Sequence, residues 1–452
     1  MAGFEGSRRE VMAASSLAAA ALMLPSRLLA AAEGEDRAAL ARDAVIWSVP
    51  LILTGRYLDI ARDAGVPLNR LVLSPDLATP ATRALGAQVD TLYGLGWLDL
   101  ADGPLVLEVP DTHDRYYAIQ LIDAWGNSFA YIGRRATGTR AGAWAITPPG
   151  FTGSVPPDMH QLPAPTSVVL AFVRTLVRGT ADLPAARAIH GAYRLGALND
   201  YPRGQQGPLF RTESLNILPI IDFSTVGAGW FAELNALLAR FPPLDFDRPN
   251  LARFGTVWVA PWRVIPADTS VRAMLAAAVA EGLALARQPG AMWTANGWST
   301  RPDVVPFIHD PLLRARVNIF GAGMNIAEEA LYFTANHGPD GAVLSGEKRY
   351  RIRFAAGQLP PVDAFWSIGI YDKSFFMFDN PIGRYSLTDR TEGLRFGPGG
   401  SLDVQIQHEQ PAEGPSNWLP APPDRFSLTL RAYQPKPALL RRQYQLPPIE
   451  VV

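Results

Sequence analysis

Tyr116-Tyr117-Ala118-Ile119-Gln120-Leu121-Ile122-Asp123 and Phe365-Trp366-Ser367-Ile368-Gly369-Ile370-Tyr371-Asp372 can be laid one on the other. Aromatic residues open both segments, apolar residues alternate through both, and an aspartate closes both in register. Alternation with a period of two is the pattern of a β-strand. Each segment follows another strand-like run and a proline turn. Each leads into an aromatic run, Phe129-Ala130-Tyr131 in one case and Phe375-Phe376-Met377-Phe378 in the other. Two readings stand: the generic likeness of any two strands, or two related β-sandwich or jelly-roll units in one chain.

Upstream of the first segment, Thr91, Tyr93, Leu95 and Trp97 share one strand face, with Gly94 and Gly96 on the other. Leu105, Leu107 and Val109 repeat the alternation before a turn over 110–114. Strands over 115–123 and 128–134 complete an antiparallel meander, and another is expected over 167–175. Residues 36–64 read as a helix that Pro50 should kink or break. A helix follows Asp182, with Asp182 as N-cap and Pro184 in its first turn, to about residue 195. Residues 199–265 mix loops with an amphipathic stretch around 230–241, and helical stretches lie over 270–286 behind an Asp268 cap and within 310–334. Around the second segment, strands are expected over 350–354, 364–371, 374–378, 402–408 and 426–433, with Asp340-Gly341 as a hairpin turn. The fold class is therefore α+β, mostly β. A β-rich part (36–180) and a second sandwich (336–452) are joined by a helical middle section (181–335).

The chain has 39 glycines and 40 prolines, and 18% charged residues against a usual ~25%. A formal charge of −1 argues against a nucleic-acid partner, which calls for a basic face. There is no cysteine, so disulfides, thiolate catalysis and Cys-ligated metal are excluded. Residues 1–32 have the layout of an export signal. Arg8-Arg9 precedes an apolar run over 13–24, and Ala30-Ala31-Ala32 offers a cleavage site. The paired arginines point to the twin-arginine route and so to the export machinery as a partner. That apolar run is short of the ~20 residues a membrane span needs, and no other segment reads as a stable span. The expected location is periplasmic or secreted.

Candidate chemistry is scattered. Asp123 and Asp372 end apolar strand faces, where a carboxylate is costly unless hydrogen-bonded. Each is either an Asx-turn residue accepting amides of the following turn, or one of two carboxylates facing a shared cleft, one as general base. His408 follows a strand face of Leu402, Val404 and Ile406 and precedes Glu409. It is a hydrogen-bonded rim residue or the acid/base of a reaction. Asp90, Thr91 and Tyr93 form a compact polar group: a Tyr–Asp structural bond, or Tyr93 protonating a leaving oxygen with Asp90 beside it. Asn417 and Trp418 can wall a pocket near His408. Trp366, Tyr117 and Trp125 are the further aromatics expected to line the cleft. Arg384 can take an anionic substrate group or an internal ion pair. No dinucleotide, phosphate-loop, zinc-protease or nucleophile-elbow signature is present. No cofactor is expected, and an oxygen-ligand calcium site around Asp340 or Asp372 stays open.

With both β-rich parts read, the chain resembles the bacterial DUF1254/DUF1214 proteins. The first part contributes 89–93, 115–117, 123–127 and 129–133. The second contributes Gly357-Gln358-Leu359-Pro360-Pro361-Val362-Asp363-Ala364-Phe365-Trp366-Ser367, Asn380-Pro381-Ile382-Gly383-Arg384-Tyr385, Ile406-Gln407-His408, 416–422 and 426–431. The resemblance implies two sandwich-like parts with helices and no assigned chemistry. Where such proteins usually carry Asn-Arg-Asp-Thr-Leu-Tyr, this chain has Gln88 and Val89 before Asp90, which removes a cation beside that carboxylate. Three functions compete. One is an exported hydrolase or lyase acting on a small or oligomeric organic substrate by acid/base chemistry. Another is a non-catalytic protein binding a carbohydrate, an oligosaccharide-like ligand or a lipid headgroup. The last is an envelope scaffold.

Overall fold

The computed structural model describes residues 36–201, 205–206, 221–223 and 226–452. The export-signal reading of 1–32 falls outside them. The chain divides into two units, Met1–Ser48 with Phe223–Ala286, and Val49–Asp222 with Arg287–Val452.

The smaller unit is helical. It holds the first part of α1 (Arg37–Asp63). Helices α3 (Gly229–Arg240), α4 (Arg248–Phe254) and α5 (Thr269–Ala286) follow α2 (Leu183–His190) of the larger unit. Within the smaller unit the Trp230 indole donates to Ser48 Oγ at 2.9 Å, and Gly282 leaves room for Val45, which a Cβ would approach to 2.9 Å. Asp268 accepts the amides of Ser270 and Val271 and so caps α5. Pro50 lies inside α1 without ending it. Residues 44–53 are buried throughout, and that burial offsets the hydrogen bond proline cannot make. By length and composition α1 and α5 could cross a membrane. The apolar stretch of α1 is mostly buried, while α5 leaves Ala273, Ala277, Ala280 and Ala284 exposed.

The larger unit is two sandwiches. The first contains β1 (Val72–Leu73), β2 (Thr91–Asp99), β3 (Leu105–Val109), β4 (Tyr117–Asp123), β5 (Ala130–Gly133), β6 (Gly142–Thr147), β7 (His160–Pro163), β8 (Val168–Leu176), β9 (Arg194–Ala197) and β10 (Gln205–Gln206). The second contains β11 (Trp293–Ala295), β12 (Trp298–Thr300), β13 (Ala330–Ala335), β14 (Tyr350–Phe354), β15 (Val362–Asp372), β16 (Ser386–Thr388), β17 (Leu402–Gln407), β18 (Trp418–Pro420), β19 (Phe426–Pro435) and β20 (Ile449–Val451). Helices α6 (Pro311–Phe320) and α7 (Pro437–Leu440) accompany them. The fold is thus α+β and mostly β, as expected, but its elements run past the expected boundaries. β9 and β10 add to the first sandwich after residue 180, and β11 to β13 add to the second before residue 336. The run 374–378 is a turn and loop, not a strand. Asp372 both donates to and accepts from Phe376 there, which turns the chain back immediately.

The two sandwiches have one topology. Sheet order β2-β8-β4-β5 in the first matches β13-β19-β15-β16 in the second. The facing sheets match as well: β9-β3-β6-β7 against β20-β14-β17-β18, each antiparallel except for a parallel last pair. Residue registers agree. Arg174 on β8 lies opposite Ala118 on one side and Tyr93 on the other, and Arg431 on β19 lies opposite Ser367 and Tyr332. The repeated segment in the sequence is therefore β4 in one copy and β15 in the other, the third strand of each matched sheet order. Inward residues alternate as a half-buried strand requires. Val169, Ala171 and Val173 enter one core, and Leu428, Leu430 and Ala432 the other. Burying each such large aliphatic side chain contributes about 1.5–3 kcal/mol.

Candidate functional site

Alternation sends the other residues of β8 and β19 outward, so Phe172 and Arg174 leave the first core and Thr429, Arg431 and Tyr433 leave the second. These two outer sheet faces meet in a small apolar seam of Tyr116, Ala118, Tyr131 and Leu176 with Ile326, Ala330, Phe365 and Tyr433. Phe365 stacks on Tyr433 at 4.1 Å between ring centroids, and Tyr116 packs edge-on to both at 5.3 Å. Beside the seam the faces part around a cavity of about 510 Å³.

Each copy contributes to the cavity in the same way. The loop before β2 passes to the second sandwich, where the Gly86 carbonyl accepts from Arg431. The loop before β13 passes to the first, where the Gly323 carbonyl accepts from Arg174. Both glycines have positive φ, +58° and +78°, and a Cβ on either would collide with a phenyl ring, Phe375 or Phe172. The residue immediately before each strand is an acid that reaches across to the other copy. Asp90 accepts from Arg390 at 2.8 Å, and Glu329 accepts from Arg135 at 2.6 Å. The cation missing beside Asp90 in the sequence is thus supplied from the other sandwich.

The cavity wall is graded. Arg83, Leu85 and Phe320 are exposed at the mouth, whereas Arg174, Arg431 and Tyr433 are buried. Phe172, Phe375, Phe376, Ile319 and Met324 supply apolar surface, and Tyr57, Tyr93, Tyr332, Tyr433 and Thr429 add hydroxyls. Among the described residues lining it there is no carboxylate and no imidazole. Arg174 donates to Gln120 Oε1 at 3.0 Å, to Asn325 Oδ1 at 3.2 Å and to Gly323 O, all neutral acceptors. Arg431 donates to Gly86 O, with its guanidinium 5.6 Å from the Tyr371 ring. Neither makes an ion pair among the described residues. Buried charges are ordinarily paired, so two uncompensated guanidiniums facing one cavity are the site's defining property. Burial raises the Tyr93 pKa while Arg174 and Arg431 pull it down, the net direction being upward, so the phenol keeps its proton near neutrality. Burial likewise raises Tyr57, to about 12.

Of the residues selected from the sequence, Tyr93 lines the cavity. Asp90 is buried next to it behind the Arg390 bridge, with Oδ2 lacking a partner. Asp123 and Asp372 both sit in Asx turns. Asp123 accepts the amides of Trp125 and Asn127 at 2.9 Å each, and Asp372 those of Ser374 and Phe376 at 2.8 and 3.0 Å. Burial raises the Asp123 pKa to about 6 against the opposing pull of its hydrogen bonds from Asn127 and Trp125 and of Arg314. His408 is half exposed because β17 ends one residue earlier. Its Nδ1 lies 2.9 Å from Ala421 O. Arg384, Asn417 and Trp418 gather near it, away from the cavity. Arg384 donates to the carbonyls of Pro415, Ser416 and Trp418, Asn417 is tied to the Arg395 backbone, and the buried Trp418 indole donates to Gln407 O. Trp366 and Tyr117 belong to the two sandwich cores, and Trp125 is fully buried. Among the described residues no group of three His, Asp or Glu is placed to hold a metal. The sequence reading passed over Arg174, Arg431, Tyr332, Tyr433 and Thr429. One signal was present: an arginine inside a strand with an alternating apolar face, at the same place in each copy.

The family model described as a protein of unknown function (DUF1254) matches residues 68–197, and the one described as a protein of unknown function (DUF1214) matches residues 329–437. The chain belongs to the DUF1254/DUF1214 family. The DUF1254 match covers the first sandwich from β1 to β9, and the DUF1214 match covers the second from β13 to β19. Each therefore contains one Tyr–Arg pair of the cavity. Among curated proteins, none matches the chain. Among solved structures, the VPA0106 protein from Vibrio parahaemolyticus is similar over 92% of this chain and 100% of its own, with TM-score 0.71 and 22% identity. That likeness shows the fold. An uncharacterized protein from Burkholderia cenocepacia aligns over 90% of this chain and 87% of its own, with TM-score 0.44 and 13% identity.

Proposed function

We propose that this DUF1254/DUF1214 protein is an exported binding protein for a small organic anion. The ligand's charged head reaches Arg174 and Arg431, and its apolar body lies along Phe172, Phe375 and Phe376. The observation that carries this reading is the pair of buried guanidiniums without a counterion in one cavity. A volume of about 510 Å³ falls within the ~300–1,000 Å³ usual for small-molecule sites. A buried guanidinium prefers an oxyanion, with which it makes charge-assisted bonds. The twin-arginine-like sequence over 1–32 supports binding outside the cytoplasm. A second reading, catalysis by proton donation, is favoured by one observation: Tyr93, a protonated phenol, lines the same cavity beside both cations.

The test is to equilibrate purified mature protein with a mixed metabolite extract and identify what is retained and what is altered, by mass. The binding reading expects anionic compounds retained unchanged, and lost from an Arg174→Met/Arg431→Met double variant. Retention of neutral or cationic compounds alone would contradict it. An altered anion would move the assignment to Tyr93 chemistry.

A further inference from the structure

The cavity sits where two copies of one fold face each other, and its cations occupy matching positions in those copies. Arg174 and Arg431 each stand opposite a tyrosine, Tyr93 or Tyr332, on the neighbouring strand. Each also accepts support from a left-handed glycine carbonyl contributed by the opposite copy. Tyr93, Tyr332 and Tyr433 lie within electrostatic reach of both guanidiniums. Both arginines thus line one cavity, each from its own sheet. Thr429, two residues before Arg431 on β19, belongs to the same cavity wall.

We infer that the anion's head is a single doubly charged oxyanion, of the phosphate-monoester class, held between Arg174 and Arg431. This deepens the binding reading above and rests on it. Charge comes first: the two buried cations, with Arg83 exposed at the mouth and no acid in the described wall, are neutralised by two negative charges. Geometry comes second. A carboxylate has two oxygens in one plane and satisfies one guanidinium fork bidentately. Two guanidiniums from different sheets, with tyrosine hydroxyls in the same wall, are better matched by the three terminal oxygens of a tetrahedral head. The aromatic wall at Phe172, Phe375 and Phe376 then selects an apolar or aromatic ester group over a free inorganic ion.

Calorimetric titration of the full mature chain at pH 8 distinguishes the possibilities. The probes are phenyl phosphate, methyl phenyl phosphate, phenylmalonate, benzoate, inorganic phosphate and phenol. Phenyl phosphate should bind at least tenfold more tightly than benzoate or methyl phenyl phosphate, which carry one charge, and more tightly than inorganic phosphate, which lacks the ring. Each of Arg174→Lys and Arg431→Lys should weaken phenyl phosphate at least tenfold, with melting curves checked to show the fold kept. Lysine retains the charge and loses the fork, so these variants test geometry where a methionine variant would test charge. Phenylmalonate binding as tightly as phenyl phosphate would assign the head to a dicarboxylate and overturn the phosphate class. Benzoate binding as tightly as phenyl phosphate would overturn the doubly charged head while leaving an anion-binding protein. Phenol alone binding would overturn both.

Discussion

The two sandwiches share their topology and register, yet they hold their cavity arginines differently. In the first copy Gln120 projects from β4 toward Arg174 and accepts from it, while the loop at Gly323 and Asn325 completes the cage. In the second copy the position of Gln120 is taken by Gly369, where a Cβ would crowd Arg431 Nη1 at 3.1 Å and the Tyr371 hydroxyl at 2.8 Å. Arg431 is left with the Gly86 carbonyl and the face of Tyr371. Both copies thus carry the charge, but three acceptors hold Arg174 and one holds Arg431, so the first is the more fixed and the second the more adaptable. Fixed and adaptable contacts to one ligand head divide the work of orienting it and of accommodating it.

The largest expected effect sets the two arginines against each other. Arg174→Met strands Gln120 Oε1 and Gly323 O, whereas Asn325 Oδ1 keeps the Tyr131 hydroxyl, and should lower unfolding free energy by about 2–6 kcal/mol, at about 1–3 kcal/mol per unsatisfied buried group. Arg431→Met removes an uncompensated charge and strands a single acceptor, the Gly86 carbonyl, since the Tyr371 hydroxyl gives its one proton to Ala87 O at 2.8 Å. Its stability should stay within about 1 kcal/mol of wild type or rise above it. Urea unfolding of the two variants measures the difference, and equal losses would show that the copies hold their arginines alike.

A smaller effect is expected at the reciprocal acids. Glu329 is buried, pairs with Arg135 and also accepts from the Tyr116 hydroxyl at 2.9 Å. Glu329→Gln should cost about 2–3 kcal/mol, below the value for a fully buried pair because Arg135 is partly exposed. Its counterpart Asp90 shares Arg390 with Asp389, whose pKa burial lifts to about 6, with Arg390 pulling it down and Asp90 pushing it further up. Asp90→Asn leaves Arg390 paired with Asp389 and removes the repulsion between the two acids, so about 1 kcal/mol is expected. The same unfolding series measures both, and a larger loss from Asp90→Asn would reverse the ranking.

Much of this architecture was legible beforehand, for a local reason. Alternation and turn chemistry act over a few residues, so the matched strands ending at Asp123 and Asp372 offered two related units as one of two readings, and the shared sheet order decides for it. The site was less legible because it is made by contacts distant in sequence. Arg174 and Arg431 are separated by half the chain, and only the meeting of two outer sheet faces makes them neighbours. His408 shows the opposite error. Continuing the alternation of Leu402, Val404 and Ile406 by one step places it on the inner face, but the strand stops at Gln407 and the side chain turns out to solvent. The run 374–378 looked like a strand because its aromatics suit one; they instead form the cavity wall at Phe375 and Phe376, held by the Asp372 turn.

The most direct measurement is the crystal structure of the mature protein soaked with 4-bromophenyl phosphate, its bromine located by anomalous scattering. The account predicts phosphate oxygens within hydrogen-bond distance of both Arg174 and Arg431, with the bromine among Phe172, Phe375 and Phe376. A cavity left empty at saturating concentration, or a head group bound to one arginine with the other turned away, would contradict it.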